Sequence, residues 1–381
     1  MYIEQFILKS SDDWQSVQSH PKFQSSKCQL VLAFAERTTL EHQKPYDVLR
    51  ERYPNAHIVT CSTAGQIAQT SLPDNSTVST AIQFEKTTIQ AVSVNTLSGQ
   101  SSQDCGKQLM NLLARDKLRG VLILSEGSYV NGSDLLQGIA SVVPASIPVF
   151  GGLAGDQDQF IRTLVGLDAP PAARQIVAVG FYGDHIQVCH GTSAGWDDFG
   201  PIRTVTKSEK NVLYELDGRP ALDLYKEYLG RYAEQLPGSA LHFPLSLQLD
   251  DGARKVVRTI LSVNEQDKSM TFAGNLPQGG FVRLMKANAD TLIDASSLAA
   301  KDSLETGNVK PELALLISCV GRRIVLGNRI EEELDAAREI FGAQVVLAGM
   351  YSYGEISPTR HMTSCDLHNQ TMTIATLGEF E

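Results

Sequence analysis

Residues 345–356 read VVLAGMYSYGEI, so an apolar run leads directly into a glycine-punctuated polar stretch near the C-terminus. The apolar start is typical of a buried strand, and the two glycines mark the bend that follows it. Polar groups at the end of a buried strand lose hydration unless each of them finds a partner. We therefore predict that this bend lines a ligand pocket with four side chains: Tyr351, Ser352, Tyr353 and Glu355.

A second polar stretch follows a short distance further along the chain. Residues 367–372 read LHNQTM and add an imidazole and two amides close to the predicted bend. Asn369 is predicted to contact the same ligand, because its amide can both donate and accept hydrogen bonds.

Strands and helices alternate along the rest of the chain. Apolar runs of strand length recur at 29–34, 57–61, 120–124, 148–150 and 176–181, and apolar residues at helical spacing lie between several of them. This alternation predicts a mixed α/β (α+β) fold, with largely antiparallel and mixed sheets covered by helices. Alternating residues at 81–84 and 89–94 also predict an antiparallel hairpin.

A domain boundary is predicted near Asp217 and Gly218. Residues 203–206 and 212–216 have the pattern of a hairpin, and Pro220 after it suits the first turn of a helix. The predicted domains are therefore residues 25–217 and residues 218–381.

Composition and charge indicate an acidic, soluble protein. The chain has 381 residues, of which 42% are hydrophobic and 20% are charged, and its formal net charge is -10. An acidic surface argues against nucleic acid and against an anionic membrane surface as partners. Neither a signal peptide nor an apolar run long enough to cross a bilayer is visible in the sequence.

The cysteines indicate a reducing compartment. Six cysteines are scattered along the chain without a CxxC pair. This pattern favours reduced thiols over a disulfide framework and excludes the usual zinc-site spacings. Together with the composition, it predicts a cytoplasmic protein.

A polar turn follows the strand at 57–61. Cys61, Ser62 and Thr63 could contact a ligand through hydroxyl and backbone N–H groups, and Cys61 could also be a nucleophilic thiol. The alternative is a buried cysteine beside a tight turn. The sequence does not decide between these interpretations, since no histidine is placed near Cys61 by spacing.

Two other strand ends carry candidate ligand contacts. Asp156 closes the glycine-rich stretch 151–156, which matches neither a P-loop nor a dinucleotide-binding fingerprint. Cys319 and Arg322 follow the strand at 314–317, where an arginine could hold a carboxylate through its fork of N–H donors. An exposed turn charge is the alternative for Arg322.

Two histidines lie on apolar strand faces. Strand alternation places His190 with Ile186 and Val188, and it places His368 with Met372 and Ile374. Such an imidazole is either a satisfied core residue or a ligand to a metal or cofactor. If one of them is a ligand, haem is a natural candidate because it needs an apolar cavity and one axial donor, and His190 or His368 would then be its iron ligand.

Several motifs in their order resemble the FIST sensory proteins, which have an N-terminal and a C-terminal FIST region. In the first half these are the stretches 61–67, 149–156 and 215–221. In the second half they are 273–279, 318–323, 351–356 and 367–371. Gln66 departs from the resemblance, since the family often has an acidic residue there.

The resemblance implies a sensory signal-transduction protein that binds a small ligand and has no established catalytic residues. In its size, the chain also resembles the nitric oxide-sensing FIST haemoproteins, which bind haem and modulate a separate histidine kinase. We therefore expect a non-enzymatic sensor that binds haem and nitric oxide and regulates such a kinase. The oligomeric state stays open, with a homodimer as one option.

Two other functions stay open at this point. The first is a sensor of a small organic ligand such as an amino acid, with Arg322 holding a carboxylate and Tyr353 and Glu355 holding an amine. The second is a thiol-dependent enzyme that uses Cys61, which predicts a thiol pKa well below the free value.

Overall fold

The computed structural model describes residues 1–10, 13–96, 99–249, 254–305, 307–358 and 365–381. The α-helices are α1 (Arg37–Gln43), α2 (Pro45–Arg52), α3 (Ser102–Asn111), α4 (Gly132–Ala140), α5 (Ala221–Leu229), α6 (Ala289–Glu305), α7 (Val320–Leu326) and α8 (Ile330–Phe341). Short 3₁₀ helices span Ser25–Lys27, Gly230–Gln235, Gly238–His242 and Gly327–Arg329.

The strands of the first half are β1 (Tyr2–Ser10), β2 (Asp13–Ser19), β3 (Leu30–Ala35), β4 (His57–Ser62), β5 (Gln66–Ala68), β6 (Thr77–Gln83), β7 (Thr88–Asn95), β8 (Leu118–Ser125), β9 (Val149–Leu153), β10 (Val165–Leu167), β11 (Gln175–Tyr182), β12 (Ile186–Ser193), β13 (Asp197–Glu209) and β14 (Val212–Leu216). The strands of the second half are β15 (Arg219–Pro220), β16 (Leu245–Leu249), β17 (Arg254–Arg258), β18 (Ile260–Asn264), β19 (Ser269–Phe272), β20 (Phe281–Lys286), β21 (Leu313–Cys319), β22 (Val346–Ser352), β23 (Gly354–Pro358), β24 (Cys365–His368) and β25 (Met372–Glu379).

The strands form four sheets. Sheet I has the order β10-β4-β3-β6-β1-β2, sheet II β24-β23-β9-β8-β11-β7, and sheet III β12-β25-β21-β22-β5. Sheet IV has the order β17-β16-β20-β13-β14-β19-β18, with β15 paired to β14. Most pairs are antiparallel, and the parallel pairs β3–β4, β8–β9 and β21–β22 are each joined through helices, as parallel connections require. The predicted α+β fold with mixed sheets is confirmed.

Sheets I, II and III share one apolar core. Leu32 of sheet I, Leu122 of sheet II and Leu315 of sheet III are fully buried in the same cluster. Sheets II and III each combine strands from both sides of residue 217. These three sheets with their helices are called the body.

Sheet IV forms a smaller lobe, residues 197–286, with a core of its own around α5. Asp217 and Gly218 lie between β14 and β15, inside this lobe. The predicted domain boundary at residue 217 does not coincide with a boundary between sheets, because sheets II and III contain strands from both sides of it. A small cluster that includes Trp196, Val257 and Leu292 joins the lobe to the body.

One predicted hairpin is present and the other is not. β13 and β14 pair antiparallel as expected. β6 instead pairs with β1 and β3 in sheet I, whereas β7 pairs with β11 in sheet II. Between them, the carboxylate of Glu379 accepts the backbone N–H groups of Glu85, Lys86 and Thr87 at 2.8–2.9 Å. These bonds hold the connection as a crossover between sheets. Within the described part of the chain, no helix has both the length and the apolar character needed to cross a membrane.

Candidate ligand-binding site

The predicted bend at residues 351–355 lies inside the body, with Tyr353 partly exposed and the other four residues buried. Glu355 on β23 has no solvent exposure, and its carboxyl group accepts hydrogen bonds from the Ser352 hydroxyl at 2.8 Å and the Thr371 hydroxyl at 2.9 Å. The Thr371 backbone N–H also donates to it at 3.1 Å. Burial raises the pKa of Glu355 to about 8 despite these donors, so the carboxyl group is largely protonated at neutral pH.

Tyr351 and Arg322 belong to a second internal cluster, centred on Glu333. The Arg322 guanidinium pairs with the Glu333 carboxylate at 2.7 Å, and both side chains are fully buried. The Tyr351 hydroxyl donates to the same carboxylate at 2.6 Å, and the Ser318 hydroxyl donates at 3.1 Å. Arg322 also donates to the carbonyl oxygen of Leu292. A ligand carboxylate could reach Arg322 only by displacing Glu333. The exposed turn charge considered for Arg322 is wrong.

Tyr353 and Asp156 form a third group. The Asp156 carboxylate accepts the Tyr353 hydroxyl and the backbone N–H groups of Phe160, Ile161 and Arg162. The Tyr353 ring stacks on Phe160 with centroids 4.6 Å apart. Asp156 thereby fixes the loop at 156–162. The candidate residues around the bend thus occupy separate structural networks.

The turn after β4 is also closed. The Cys61 thiol is fully buried against Met350, with the two sulfur atoms 3.8 Å apart, and burial raises its pKa. Ser62 accepts the Leu164 N–H at 2.9 Å, and the Thr63 hydroxyl donates to Gln66 at 3.2 Å. A raised pKa is the reverse of what a nucleophilic thiol requires.

Cys319 and Asn369 lie in the interior near Glu355. The Cys319 thiol is buried, which raises its pKa, and the nearby Glu355 adds to this effect. Asn369 has no exposure, and neither polar atom of its side-chain amide has a hydrogen-bond partner in the described part of the chain. An unsatisfied buried amide costs about 1–3 kcal/mol, so a bound water or another small polar group would stabilise it.

The two histidines do not fit a haem in this structure. His190 lines a cavity of about 210 Å³, below the ~300–1,000 Å³ typical of sites for small molecules. His368 is buried, and its Nε2 lies 3.3 Å from the carbonyl oxygen of Ser357. Burial, with Arg258 and His190 nearby, lowers the pKa of His368 to about 4. Neither imidazole combines a cavity of haem size with an open axial position.

An open cavity of about 520 Å³ lies instead between the body and the lobe. Helix α4 and strand β24 line it from the body, while β17 and the loop before β20 line it from the lobe. Its residues are Ser133, Leu136, Gln137, Ala140, Ser208, Lys210, Arg258, Asn275, Leu276, Pro277, Gln278, Cys365, Asp366 and Leu367. This cavity is called the cleft.

Arg258 is the buried charge of the cleft. Its side chain is 4% exposed and donates to three backbone carbonyl oxygens: Leu367 at 2.8 Å, Asn275 at 3.1 Å and Val257 at 3.2 Å. Burial lowers the pKa of Arg258 to about 10, while nearby Asp366 opposes that change, so the guanidinium stays charged at neutral pH. Gly274 makes room for it, because a Cβ there would lie 3.0 Å from the guanidinium.

Asn275 connects the lobe to the start of α4. Its side-chain amide donates to Asp134 at 2.9 Å and accepts from Asn131 at 3.0 Å. Its backbone N–H donates to the Ser133 hydroxyl at 3.2 Å. The mouth of the cleft therefore depends on contacts between segments far apart in sequence.

The sequence did not single out these cleft residues as a site. Residues 273–279 enter the sequence analysis only as a motif of the family resemblance. Nothing in the local sequence around Arg258 distinguishes it from an ordinary strand residue. A glycine-rich turn with two amides is the one local signal, since such turns allow close approach of backbone to a neighbour.

The cleft lies between two structural units of the chain, and comparison with known proteins identifies its family. The FIST N domain model matches residues 29–219 and the FIST C domain model matches residues 221–358. The chain therefore belongs to the FIST family, whose domains have a sensory, signal-transduction role with small ligands. An uncharacterised protein of Methanocaldococcus jannaschii is 23% identical over 205 residues, which is 49% of this chain and 38% of that protein.

Proposed function

We propose that this protein is a sensor that binds a small organic ligand in the cleft between body and lobe. The observation that carries the proposal is the 520 Å³ cavity around buried Arg258, lined from both FIST regions and from the strand β24 after them. Its volume suits a metabolite, and cavities between two structural units are common ligand sites. An amino acid is one ligand of suitable size.

Binding in the cleft would bias the position of the lobe. A ligand that contacts α4 and the lobe together stabilises one arrangement of the two over the others, and this preference is the signal. The output partner is a separate protein, with a histidine kinase as the class that the family resemblance implies. A cytoplasmic location belongs to the same proposal, supported by the acidic composition and by cysteines that are free in the described residues.

A thermal-shift screen of the twenty amino acids and of small carboxylates tests the proposal, since a ligand of the native state raises the melting temperature. Ala140 is an exposed residue of the cleft wall, so Ala140→Trp fills the cavity without disturbing a core. Ala114 is exposed outside the cleft lining, so Ala114→Trp is the matched control. We expect shifts in wild type and Ala114→Trp that Ala140→Trp abolishes. Shifts unchanged in Ala140→Trp, or none in any protein, would contradict the proposal.

The haem and nitric oxide alternative has a separate test. We expect that haem titration gives the same Soret spectrum for wild type, His190→Ala and His368→Ala. A shift that either substitution removes would favour haem and would show that the body rearranges around that histidine.

A further inference from the structure

We infer that the cleft ligand carries an anionic oxygen group, a carboxylate being the best match, and that Arg258 receives it. This inference rests on the proposed function and adds the ligand's chemistry and the residue that recognises it.

The first argument is the placement of charge in the cleft. Arg258 is 4% exposed, whereas the Lys210 side chain is 69% exposed at the rim and Asp366 is partly exposed. The buried wall of the cleft therefore carries a positive charge, whereas the acidic residue of the lining, Asp366, and the second cation, Lys210, lie nearer to solvent. A charge removed from water costs free energy unless it is paired, and an anion in the cleft would pair with it.

The second argument is how Arg258 is held. Three of its N–H groups donate to the carbonyl oxygens of Val257, Asn275 and Leu367, which fixes the plane of the guanidinium. Carbonyl oxygens orient the group but carry no full charge, and nearby Asp366 balances the charge of Arg258 only in part. In contrast, Arg322 pairs directly with the Glu333 carboxylate at 2.7 Å. A fixed, charged guanidinium beside a cavity is suited to recognising an oxyanion.

The third argument favours one negative charge over two. Lys210 lies 3.8 Å from Asp134, so its charge is already partly balanced at the rim. Asp366 lines the cavity as well and would repel a second negative charge. A carboxylate carries one charge, whereas a phosphate monoester carries close to two at neutral pH. Inorganic phosphate is therefore expected to compete more weakly than a carboxylate.

Trifluoroacetate, a small molecule that is little more than a carboxylate group, is the probe that tests this inference. Fluorine NMR measures line broadening of trifluoroacetate on adding the protein, with uncharged trifluoroethanol as the matched probe. We expect broadening of trifluoroacetate and none of trifluoroethanol. Arg258→Gln should weaken trifluoroacetate binding by at least about tenfold. Arg283→Gln, which removes a partly exposed arginine outside the cleft lining, should leave the broadening unchanged. Gly274→Ala crowds the guanidinium without removing it and should also weaken binding. This variant provides the test if Arg258→Gln folds poorly.

The variants separate this inference from the proposed function. Broadening lost in Ala140→Trp but unchanged in both Arg258→Gln and Gly274→Ala would leave the cleft as the site and overturn the role of Arg258. Equal broadening of trifluoroethanol, or no broadening of trifluoroacetate, would overturn the anionic ligand. Trifluoroacetate broadening unchanged in Ala140→Trp would place the anion outside the cleft and contradict both.

Discussion

The guanidinium of Arg258 donates to the carbonyl oxygen of Leu367 at 2.8 Å and thereby ties the lobe to strand β24 of the body. His368 follows Leu367, and its strand partner on β23 is Glu355. A ligand that draws Arg258 toward the cleft would therefore act on the β23–β24 strand pair, which carries Glu355 and its raised pKa. Four consequences for stability, reactivity and binding can be measured.

Arg322 is expected to stabilise the fold, with no direct contact to the ligand. Arg322→Met leaves the Glu333 carboxylate buried without its cation, which costs about 3–5 kcal/mol. Arg329→Met breaks exposed ion pairs with Glu332 and Asp290 and should cost far less, because solvent screens both pairs. Urea unfolding of both variants measures the difference. A stable Arg322→Met protein with impaired ligand binding would instead support the carboxylate clamp predicted from sequence.

Glu355 is expected to make stability fall as pH rises. Its pKa is raised from 4.5 to about 8 in the folded protein, so between these values the native state binds more protons than the unfolded state. The stability associated with the protonated carboxyl group is fully present below pH 4.5 and is lost as pH rises toward about 8.

Glu355→Gln keeps a neutral group of the same shape and removes that dependence. The difference in unfolding free energy between the variant and wild type should shift in favour of the variant by on the order of 1–4 kcal/mol as pH rises from about 5 to about 8.5. Glu331→Gln, on the exposed surface of α8, is the control. The same difference at both pH values would show that Glu355 is ionised throughout.

Cys61 is expected to resist alkylation in the native protein. Its thiol is buried and burial raises its pKa, so neither access nor thiolate is available. Iodoacetamide labelling followed by peptide mass spectrometry should show Cys61 modified only after unfolding in urea. Ser93→Cys places a thiol on an exposed position and reports that the reagent is active. Selective labelling of native Cys61 would revive the thiol-enzyme interpretation.

Gly274→Ala is expected to weaken binding in the cleft more than it weakens the fold. The added Cβ would lie 3.0 Å from the Arg258 guanidinium, and three hydrogen bonds to carbonyl oxygens limit how far that group can move. Gly279→Ala is the control: its φ of +86° strains the same loop, but its Cβ would contact nothing within 4 Å. It therefore distinguishes the contact with Arg258 from strain in the loop. Comparing trifluoroacetate affinity with urea stability in both variants measures this. Equal losses of affinity would indicate that the loop, and not Arg258, is affected.

The sequence predicted local structure better than it predicted proximity. The hairpin of β13 and β14 and helix α5 after Pro220 follow from strand patterning and helix-start signals, which act over a few residues. The crossover at residues 85–87 depends on Glu379, almost three hundred residues away, and no local pattern indicates it.

The same limit explains the site. Buried polar residues at strand ends need hydrogen-bond partners, and Glu355 and Arg322 find theirs inside the protein instead of on a ligand. Arg258 contacts the cleft because a lobe strand packs beside β24, a relationship between segments about a hundred residues apart. Periodicity carries no information about such contacts.

The central claim is that the cleft binds the ligand, and isothermal titration with the compound that gives the largest thermal shift tests it most directly. The account predicts one site per chain in wild type and in Ala114→Trp, with binding lost in Ala140→Trp while all three proteins unfold with similar midpoints. Equal affinity in all three proteins would place the ligand outside the cleft and contradict the account.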